Sequence, residues 1–144
     1  MRDEQVRRYA RHILLPDVGG LGQTALMVAG ARVAVDGEPS AALIAASYLA
    51  AGGVGALVVR GATDAQLAGL AAHGPDSRIV SSDTGVATND GAGTDRTLAL
   101  AHAKEVQIDA TPAWWPIATN DATALAYWRG GIAATRWMAA IVNR

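Results

Sequence analysis

The sequence predicts an α/β fold, in which helices cover a small, mostly parallel sheet of about four strands in a three-layer sandwich. Two short apolar runs, at residues 31–37 and 55–60, have the composition of strands, and the second is apolar enough to be buried on both faces. A helix-compatible stretch at residues 40–51 lies between them. Strand, helix and strand within about 30 residues form a βαβ unit, so the two strands are expected to be parallel, with a right-handed crossover.

The overall composition limits the class of protein. The 144 residues suit one domain, made of a helical arm at residues 1–30 and a compact part at residues 31–144. The formal net charge is −1 and no concentrated basic face is visible, so nucleic acid is not an expected partner. Cysteine is absent, which excludes a disulfide, a cysteine-ligated zinc ion and a thiol nucleophile, and fits a cytoplasmic setting.

In the arm, Val6, Tyr9 and Ile13 recur at helical spacing and predict a helix over residues 3–11, and a second short helix is expected at residues 23–29. The arm also holds a cluster of arginines, which is interpreted first as a solvated face and second as a ligand site. Its members are Arg2, Arg7, Arg8 and Arg11.

Downstream of the βαβ unit, helical and strand-like stretches continue to alternate. Helices are predicted at residues 64–72 and 94–103, and strands at residues 78–82 and 105–110. The Gly-, Asp- and Thr-rich stretch at residues 83–95 is predicted to be a loop, because it lacks the alternating ligands of a calcium site. The sequence leaves the role of this loop open.

The last helix is predicted at residues 122–142, with Asp121 as its N-cap. Gly130 and Gly131 would allow another backbone to approach this helix closely. Helical spacing places two sets of residues on one stripe each: Leu43, Ile44, Ser47, Tyr48 and Ala51 on the helix at residues 40–51, and Tyr127, Trp128, Ile132, Thr135 and Ala139 on the last helix. The stripe on the last helix predicts that it is buried or faces another subunit.

Residues 39–59 carry no charged side chain over 21 positions, a length that could be mistaken for a membrane span. Gly52, Gly53 and Gly55 interrupt this stretch with turn-forming residues. A buried helix, a turn and a buried strand therefore explain it better, and no membrane partner is expected.

Motifs that carry chemistry are mostly missing. The sequence has no GxGxxG, GxxxxGK[ST], HExxH or GxSxG pattern. His12, His73 and His102 show no metal-ligand spacing, so no metal site is predicted. Asp36 and Asp109 end predicted strands, the position at which open α/β sheets bind ligands, but neither has an obvious partner in the sequence.

Residues 8–23 (RYARHILLPDVGGLGQ) resemble the opening of the ThiF/MoeB/HesA family, the E1-like enzymes that use ATP to adenylate the C-terminus of ubiquitin-like or sulfur-carrier proteins. Residues 32–37 (RVAVDG) and 48–55 (YLAAGGVG) resemble the family's first strand and its Y-L-A-x-A-G-V-G block. Weaker similarities lie at residues 105–112 and 122–141, and the matches together cover about half the chain. The resemblance implies a Rossmann-like fold and a dimer, and an active member would bind Mg-ATP.

The departures from the family fall on the positions that hold ATP. The family's glycine loop aligns on Gly37, Pro39 and Ala42, and a proline supplies no N–H to a phosphate. Arg60 stands where the family places an acid for the ribose, and an acid that helps to hold Mg-ATP aligns on Pro112. The family's phosphate-binding Arg and Gln segment becomes TDAQLAGLA, without an Arg. The resemblance thus implies a degenerate nucleotide site at Asp36, Gly37, Pro39, Ala42, Arg60 and Asp109, with no cofactor expected.

Three functions remain open from the sequence. The first is a non-catalytic E1-like subunit in a homo- or heterodimer, in which Arg11, the arginine that the family sends to its partner's ATP, serves a neighbouring E1-like protein. The second is a minimal adenylyltransferase that still activates a ubiquitin-like carrier protein with ATP through Arg11, Asp36 and Asp109. The third is a structural homodimer or assembly component that uses the fold only for packing.

Overall fold

A computed structural model describes residues 1–37, 39–85, 97–109 and 121–143. In chain order, its elements are α1 (Asp3–Arg8), α2 (Ala10–Ile13), α3 (Gly19–Val28), β1 (Gly30–Ala34), α4 (Pro39–Ala51), β2 (Ala56–Arg60), α5 (Asp64–His73), β3 (Arg78–Ser81), α6 (Thr97–Ala101), β4 (Lys104–Glu105) and α7 (Ala122–Val142). Strands and helices alternate from β1 to α7, as the sequence pattern predicts.

The four strands form one sheet in the order β3-β2-β1-β4, and all three neighbouring pairs are parallel. The chain starts at a central strand, moves outward to β3, and then returns to the other side of β1 with β4. This order is that of the first half of a Rossmann fold, and its topological switch point lies between β1 and β4. The predicted Rossmann-like α/β fold is confirmed, and the sheet is parallel throughout the described strands.

The strands bury one face of the sheet under α4, α5 and α7. Alternate residues Val33, Leu57, Val59 and Ile79 point to this face and are at most 2% exposed. On the other face, α6 lies over the start of β1, where a side chain at Gly30 would overlap the carbonyl oxygen of Ala99. Helices on both faces make the three predicted layers.

Alanines form most of the contact between α4 and its neighbours. The buried side chains of α4 are those of Ala41, Ala42, Ala45, Ala46, Leu49 and Ala50. The stripe of residues named from the sequence on this helix does not coincide with its buried face, since Tyr48 is 49% exposed and Ala51 is exposed as well. The helix α4 packs closely against both the sheet and α7. Small side chains therefore form its buried face, and the larger ones lie toward its flanks.

The helix α7 packs closely on α4, with Gly130 against the carbonyl oxygen of Ala41. Its buried residues are Ala126, Gly130, Ala133, Ala134 and Trp137. The predicted stripe is again not the buried face within the chain, because Tyr127 is 57% exposed and Thr135 and Ala139 are exposed. The close approach predicted at the glycine pair is confirmed at Gly130.

The arm differs in detail from its prediction. The first helix breaks at Tyr9 into α1 and α2, and the next helix begins at Gly19 instead of residue 23. Val6 is 42% exposed, whereas Gln5 and Tyr9 are buried. The burial of Gln5 and Tyr9 has one cause, because the polar ends of both side chains turn inward to a carboxylate of the compact part.

Two other boundaries differ at the carboxyl ends of strands. The predicted strand at residues 31–37 ends at Ala34, with one further bond from Val35 N to the carbonyl oxygen of Arg60 at 2.9 Å. The predicted strand at residues 105–110 is the short β4, continued by a bond from Val106 N to Arg32 O. In the described part of the chain, no helix combines the length and the apolar character that crossing a membrane requires.

Candidate functional site

Two side chains of opposite charge meet at the carboxyl edge of the sheet. Ala34 of β1 is the register partner of Arg60, the last residue of β2, so the residues that follow β1 lie beside Arg60. The Arg60 guanidinium is 3.1 Å from an Asp36 carboxylate oxygen, and both side chains are more than half exposed. Such an exposed ion pair adds little to the stability of the fold, but it gives the charges of Asp36 and Arg60 a partner in each other.

In the described part of the connection from β1 to α4, Gly37 and Pro39 lack the features of a phosphate-binding turn. Gly37 has no positive φ, and a side chain there would meet no atom within 4 Å, so this position does not require glycine. Pro39 is the first residue of α4, where its ring fits the helix but offers no N–H to an anion. Glu38, between them, lies outside the described residues. A nest of backbone N–H groups is therefore incomplete at this helix start.

Ala42, at the place of the family's third glycine, is fully buried. Its methyl group belongs to the core cluster that includes Leu57 and Val59 of the neighbouring strand β2. The helix α4 packs on the sheet without needing glycine at this position.

Asp109 lies after β4, on the other side of β1 from Arg60. Its carboxylate accepts a hydrogen bond from Arg136 of α7 at 2.7 Å, and its carbonyl oxygen accepts one from Arg129 Nε at 2.8 Å. Asp36 and Asp109 thus share an edge of the sheet but have different partners. The remaining residue that the family comparison singled out, Pro112, lies outside the described residues.

A third carboxylate, which sequence reasoning missed, lies at the same edge. Asp83 follows β3, and its Oδ2 accepts a hydrogen bond from the backbone N–H of Gly61 at 2.8 Å. Gly61 has a φ of 75°, a conformation that glycine adopts without strain. The sequence signal that could have identified Asp83 is an acidic residue just after a predicted strand, the same signal that pointed to Asp36 and Asp109. Of the loop predicted at residues 83–95, only the part up to residue 85 is described.

A small cleft opens on the face of the sheet opposite α4. Arg32, Arg60, Ser82 and Glu105 are among the residues that line it, and its volume is about 120 Å³. Arg32 Nε donates to the carbonyl oxygen of Ala103 at 3.1 Å. Pockets for cofactors and small ligands are usually about 300–1,000 Å³, so the cleft that these described residues line is smaller than a usual ligand pocket. Its charges are also of both signs.

Arg11 lies at the opposite edge of the sheet from these groups. The arm packs on the loops that precede β2 and β3, where Tyr9 lies against Gly53 and bonds Asp76. Arg11 is exposed, and no ion pair to another described residue is found for it. The structure therefore does not bring Arg11 together with Asp36 and Asp109.

Asp76 anchors the first helix of the arm, although no sequence pattern singled this residue out. This carboxylate is 3% exposed and accepts hydrogen bonds from Gln5 Nε2 at 3.1 Å, from Tyr9 OH at 3.0 Å and from Arg8. The guanidinium of Arg2 lies 3.5 Å away. The N-terminal arginine cluster was interpreted above first as a solvated face. Two of its members, Arg2 and Arg8, instead contact this buried carboxylate.

The surroundings of Asp76 change the protonation of two groups. Burial by itself would raise the pKa of Asp76, but hydrogen bonds from Gln5, Arg8 and Tyr9 outweigh burial, so the pKa is lowered and the carboxylate stays charged. Burial, helped by the charge of Asp76, raises the pKa of Tyr9 to about 12. Tyr9 therefore remains a neutral hydrogen-bond donor at physiological pH. This cluster holds structure and has no open position for a ligand atom.

Histidines do not assemble into a site in the described ranges. His12 Nδ1 is 3.1 Å from Gln23 Oε1, and His73 Nδ1 is 2.9 Å from the carbonyl oxygen of Gly69. Among the described residues, no three His, Asp or Glu side chains converge closely enough to hold a metal ion. Comparison of the chain with protein-family models gives no match, and comparison with curated proteins gives none either.

Proposed function

We propose that this chain is a non-catalytic, E1-like subunit that acts by associating with another protein and supplies Arg11 in trans to an active E1-like partner. The observation that carries the proposal is the ion pair between Asp36 and Arg60, 3.1 Å apart at the carboxyl edge of the sheet. An active family member would hold the ribose and phosphates of ATP there, and it would use an acid in place of Arg60.

The neighbouring positions support the same interpretation. Pro39 takes away an N–H at the start of α4, where a phosphate would need it, and Gly37 does not adopt the backbone conformation that makes a glycine necessary. The cleft beside Arg60 has about 120 Å³, below the roughly 300–1,000 Å³ of usual ligand pockets. The chain's own ATP site is therefore treated as lost, and no ATP or magnesium cofactor is proposed.

The arm supports the second half of the proposal. Arg8 and Tyr9 hold it firmly to Asp76, while Arg11 projects to solvent from the next turn. A guanidinium in this position is always charged and can bind two phosphate oxygens of another molecule at once. The partner would be a full-length E1-like protein, and through it a ubiquitin-like carrier protein, in the cytoplasm.

The first test is calorimetry of the purified chain with Mg-ATP. We expect no binding tighter than a dissociation constant of about 1 mM, which corresponds to only about −4 kcal/mol. A tighter constant would contradict the loss of the site and would favour the minimal adenylyltransferase. Pyrophosphate exchange in the presence of a carrier protein then distinguishes binding from turnover.

A further inference from the structure

A buried glutamine holds the imidazole of His12 in one tautomer. Gln23 is fully buried, and its Nε2 donates a hydrogen bond to the carbonyl oxygen of Gly52 at 3.0 Å. The Gln23 amide therefore presents its oxygen to His12, with Oε1 and Nδ1 3.1 Å apart. Because this oxygen can only accept, Nδ1 carries the proton in neutral His12, and Nε2 is left with a free lone pair.

The edge of the ring that carries Nε2 faces a groove between the arm and the end of α7. His12 is half-buried, its ring stacks on Tyr9 with the two centroids 6.2 Å apart, and its Nδ1 is turned toward Gln23. No hydrogen bond joins Nε2 to another residue in the described part of the chain. His12 also lines the groove, so Nε2 is the ring nitrogen that a molecule in the groove would meet.

The walls of the groove are apolar, and one carboxylate lies among them. The groove has a volume of about 230 Å³, and Leu15, Leu26 and Val142 are among the side chains that form its walls. Asp17 lines it as well; this side chain is exposed and has no ion pair with another described residue. Of the described residues that line the groove, none is a lysine or an arginine. The groove thus combines apolar walls, a proton-accepting nitrogen and an unpaired negative charge.

These groups select the chemistry of an occupant. A protonated amine donates hydrogen bonds, which both Nε2 and a carboxylate accept, and its charge is opposite to that of Asp17. When His12 is neutral, an anion in the groove would face the Asp17 carboxylate with no lining cation to offset the repulsion. The apolar walls favour a hydrocarbon body. The volume lies below the roughly 300–1,000 Å³ of usual ligand pockets, so the occupant has to be small.

We propose that the groove between the arm and α7 binds a small organic amine with an apolar body, whose ammonium group donates hydrogen bonds to His12 Nε2 and to Asp17. This site goes beyond the proposed function and does not depend on it, because neither Arg11 nor an E1-like partner takes part.

Nuclear magnetic resonance of the full chain tests the site, with hexylamine as the probe. Hexylamine should shift the ring-nitrogen signals of His12 saturably at pH 8. Hexanoate has the same chain length and the opposite charge, and it should bind at least about tenfold more weakly. The internal control is His73, which lies on α5 with its Nδ1 bonded to the Gly69 carbonyl oxygen, and its signals should not shift.

Two variants at exposed positions test the charge and the walls separately. Asp17→Asn removes the charge and should weaken hexylamine binding about tenfold, whereas Asp3→Asn, an exposed acid of the same arm outside the groove, should not. Ala139→Leu fills the groove from α7 and should also weaken binding at least about tenfold. Its control is Ala72→Leu, the same change at an exposed position of α5.

Three results would overturn the proposal. They are the absence of a saturable shift at His12, hexanoate binding as tight as that of hexylamine, and an Asp17→Asn or Ala139→Leu protein that binds hexylamine as tightly as the wild type. Calorimetry with Mg-ATP is independent of all three results, so it distinguishes a failure of this site from a failure of the proposed function.

Discussion

Asp76 is the residue on which the arm depends most. Its carboxylate is almost fully buried, and the side chains of Gln5, Arg8 and Tyr9 converge on it from a segment about 70 residues away. Hydrogen bonds to a buried charge contribute more than neutral ones, and removing one partner leaves the others unpaired. The docking of α1 and Tyr9 therefore centres on one buried negative charge.

Asp76→Asn should lower the free energy of unfolding by about 2–4 kcal/mol at pH 7, because it leaves Arg8 without its buried counter-charge. Chemical denaturation measures the loss, and hydrogen exchange of the arm should show that the first two helices open first. Asp17→Asn, an exposed carboxylate of the same arm, should change stability by less than about 0.5 kcal/mol. Equal effects of the two variants would mean that Asp76 does not anchor the arm.

The same cluster predicts the pH dependence of stability. Because the folded pKa of Asp76 is lowered, its contribution is complete above the unfolded value of about 3.9 and is lost as pH falls through the folded value. Because the folded pKa of Tyr9 is raised to about 12, its contribution is complete below about pH 10 and is lost as pH rises toward 12. Denaturation across pH should show the wild type and Asp76→Asn converging in acid, and Tyr9→Phe should remove the alkaline loss. Parallel curves at all pH values would contradict both assignments.

Gly130 tests the close contact between α4 and α7. A Cβ at this position would overlap the carbonyl oxygen of Ala41, and backbone cannot move aside as a side chain can. Gly130→Ala should therefore lower the free energy of unfolding by at least about 2 kcal/mol, despite alanine's better helix propensity. In Gly69→Ala the same change in open space should be neutral or stabilising by up to about 1 kcal/mol. A stabilised Gly130→Ala protein would refute the contact.

At the scale of whole elements, sequence patterns predicted strands better than helix faces. The strands β2 and β3 hold short runs of valine, leucine or isoleucine, and β1 alternates small apolar residues with Arg32, which are patterns that leave few alternatives. The helices α4 and α7 are rich in alanine on several sides, so their periodicity does not mark the buried face. The buried face of α4 is determined by its close packing against the sheet and α7. These tertiary contacts cannot be read from the local sequence of the helix.

One part of the candidate site could be predicted from the sequence, because the carboxyl ends of neighbouring parallel strands lie side by side. Asp36 lies just after β1 and Arg60 ends the adjacent strand β2, so their proximity comes directly from a βαβ unit. The pairing of Asp109 with Arg136 depends on how α7 returns across the sheet, and no local pattern contains that path. The same holds for Asp76, whose partners come from the arm.

Overpacking of α4 tests whether alanine is required on its buried face. Ala46 is fully buried in the core cluster, so Ala46→Leu should lower the free energy of unfolding by about 1–3 kcal/mol. Ala51→Leu makes the same change on the exposed side of the same helix and should have little effect. Thermal or chemical denaturation compares them. An Ala46→Leu protein as stable as the wild type would mean that the core has room to spare.

For the molecule as a whole, the important relation is between the two edges of the sheet. The carboxyl edge carries Asp36 and Arg60, bound to each other, whereas the arm fixes Arg11 near the opposite edge. Strands of five residues separate the edges by about 15 Å, too far for one arginine to serve a site at the other end. Any phosphate that Arg11 contacts would therefore belong to another molecule.

Arg11→Ala is the variant that tests this use of the arm. In a complex with an E1-like enzyme recovered together with this chain, the variant should leave the complex assembled, because the arm is held by Asp76 and not by Arg11. Adenylation of the carrier protein should slow on the order of 10²- to 10³-fold, as expected when one charged contact to a reacting phosphate is removed. Arg7→Ala removes another exposed arginine of the arm and should have a much smaller effect. Equal rates for wild type and Arg11→Ala in an intact complex would mean that the arm serves only for packing. The chain would then be a structural component that contributes contacts to the assembly and no charge to the reaction.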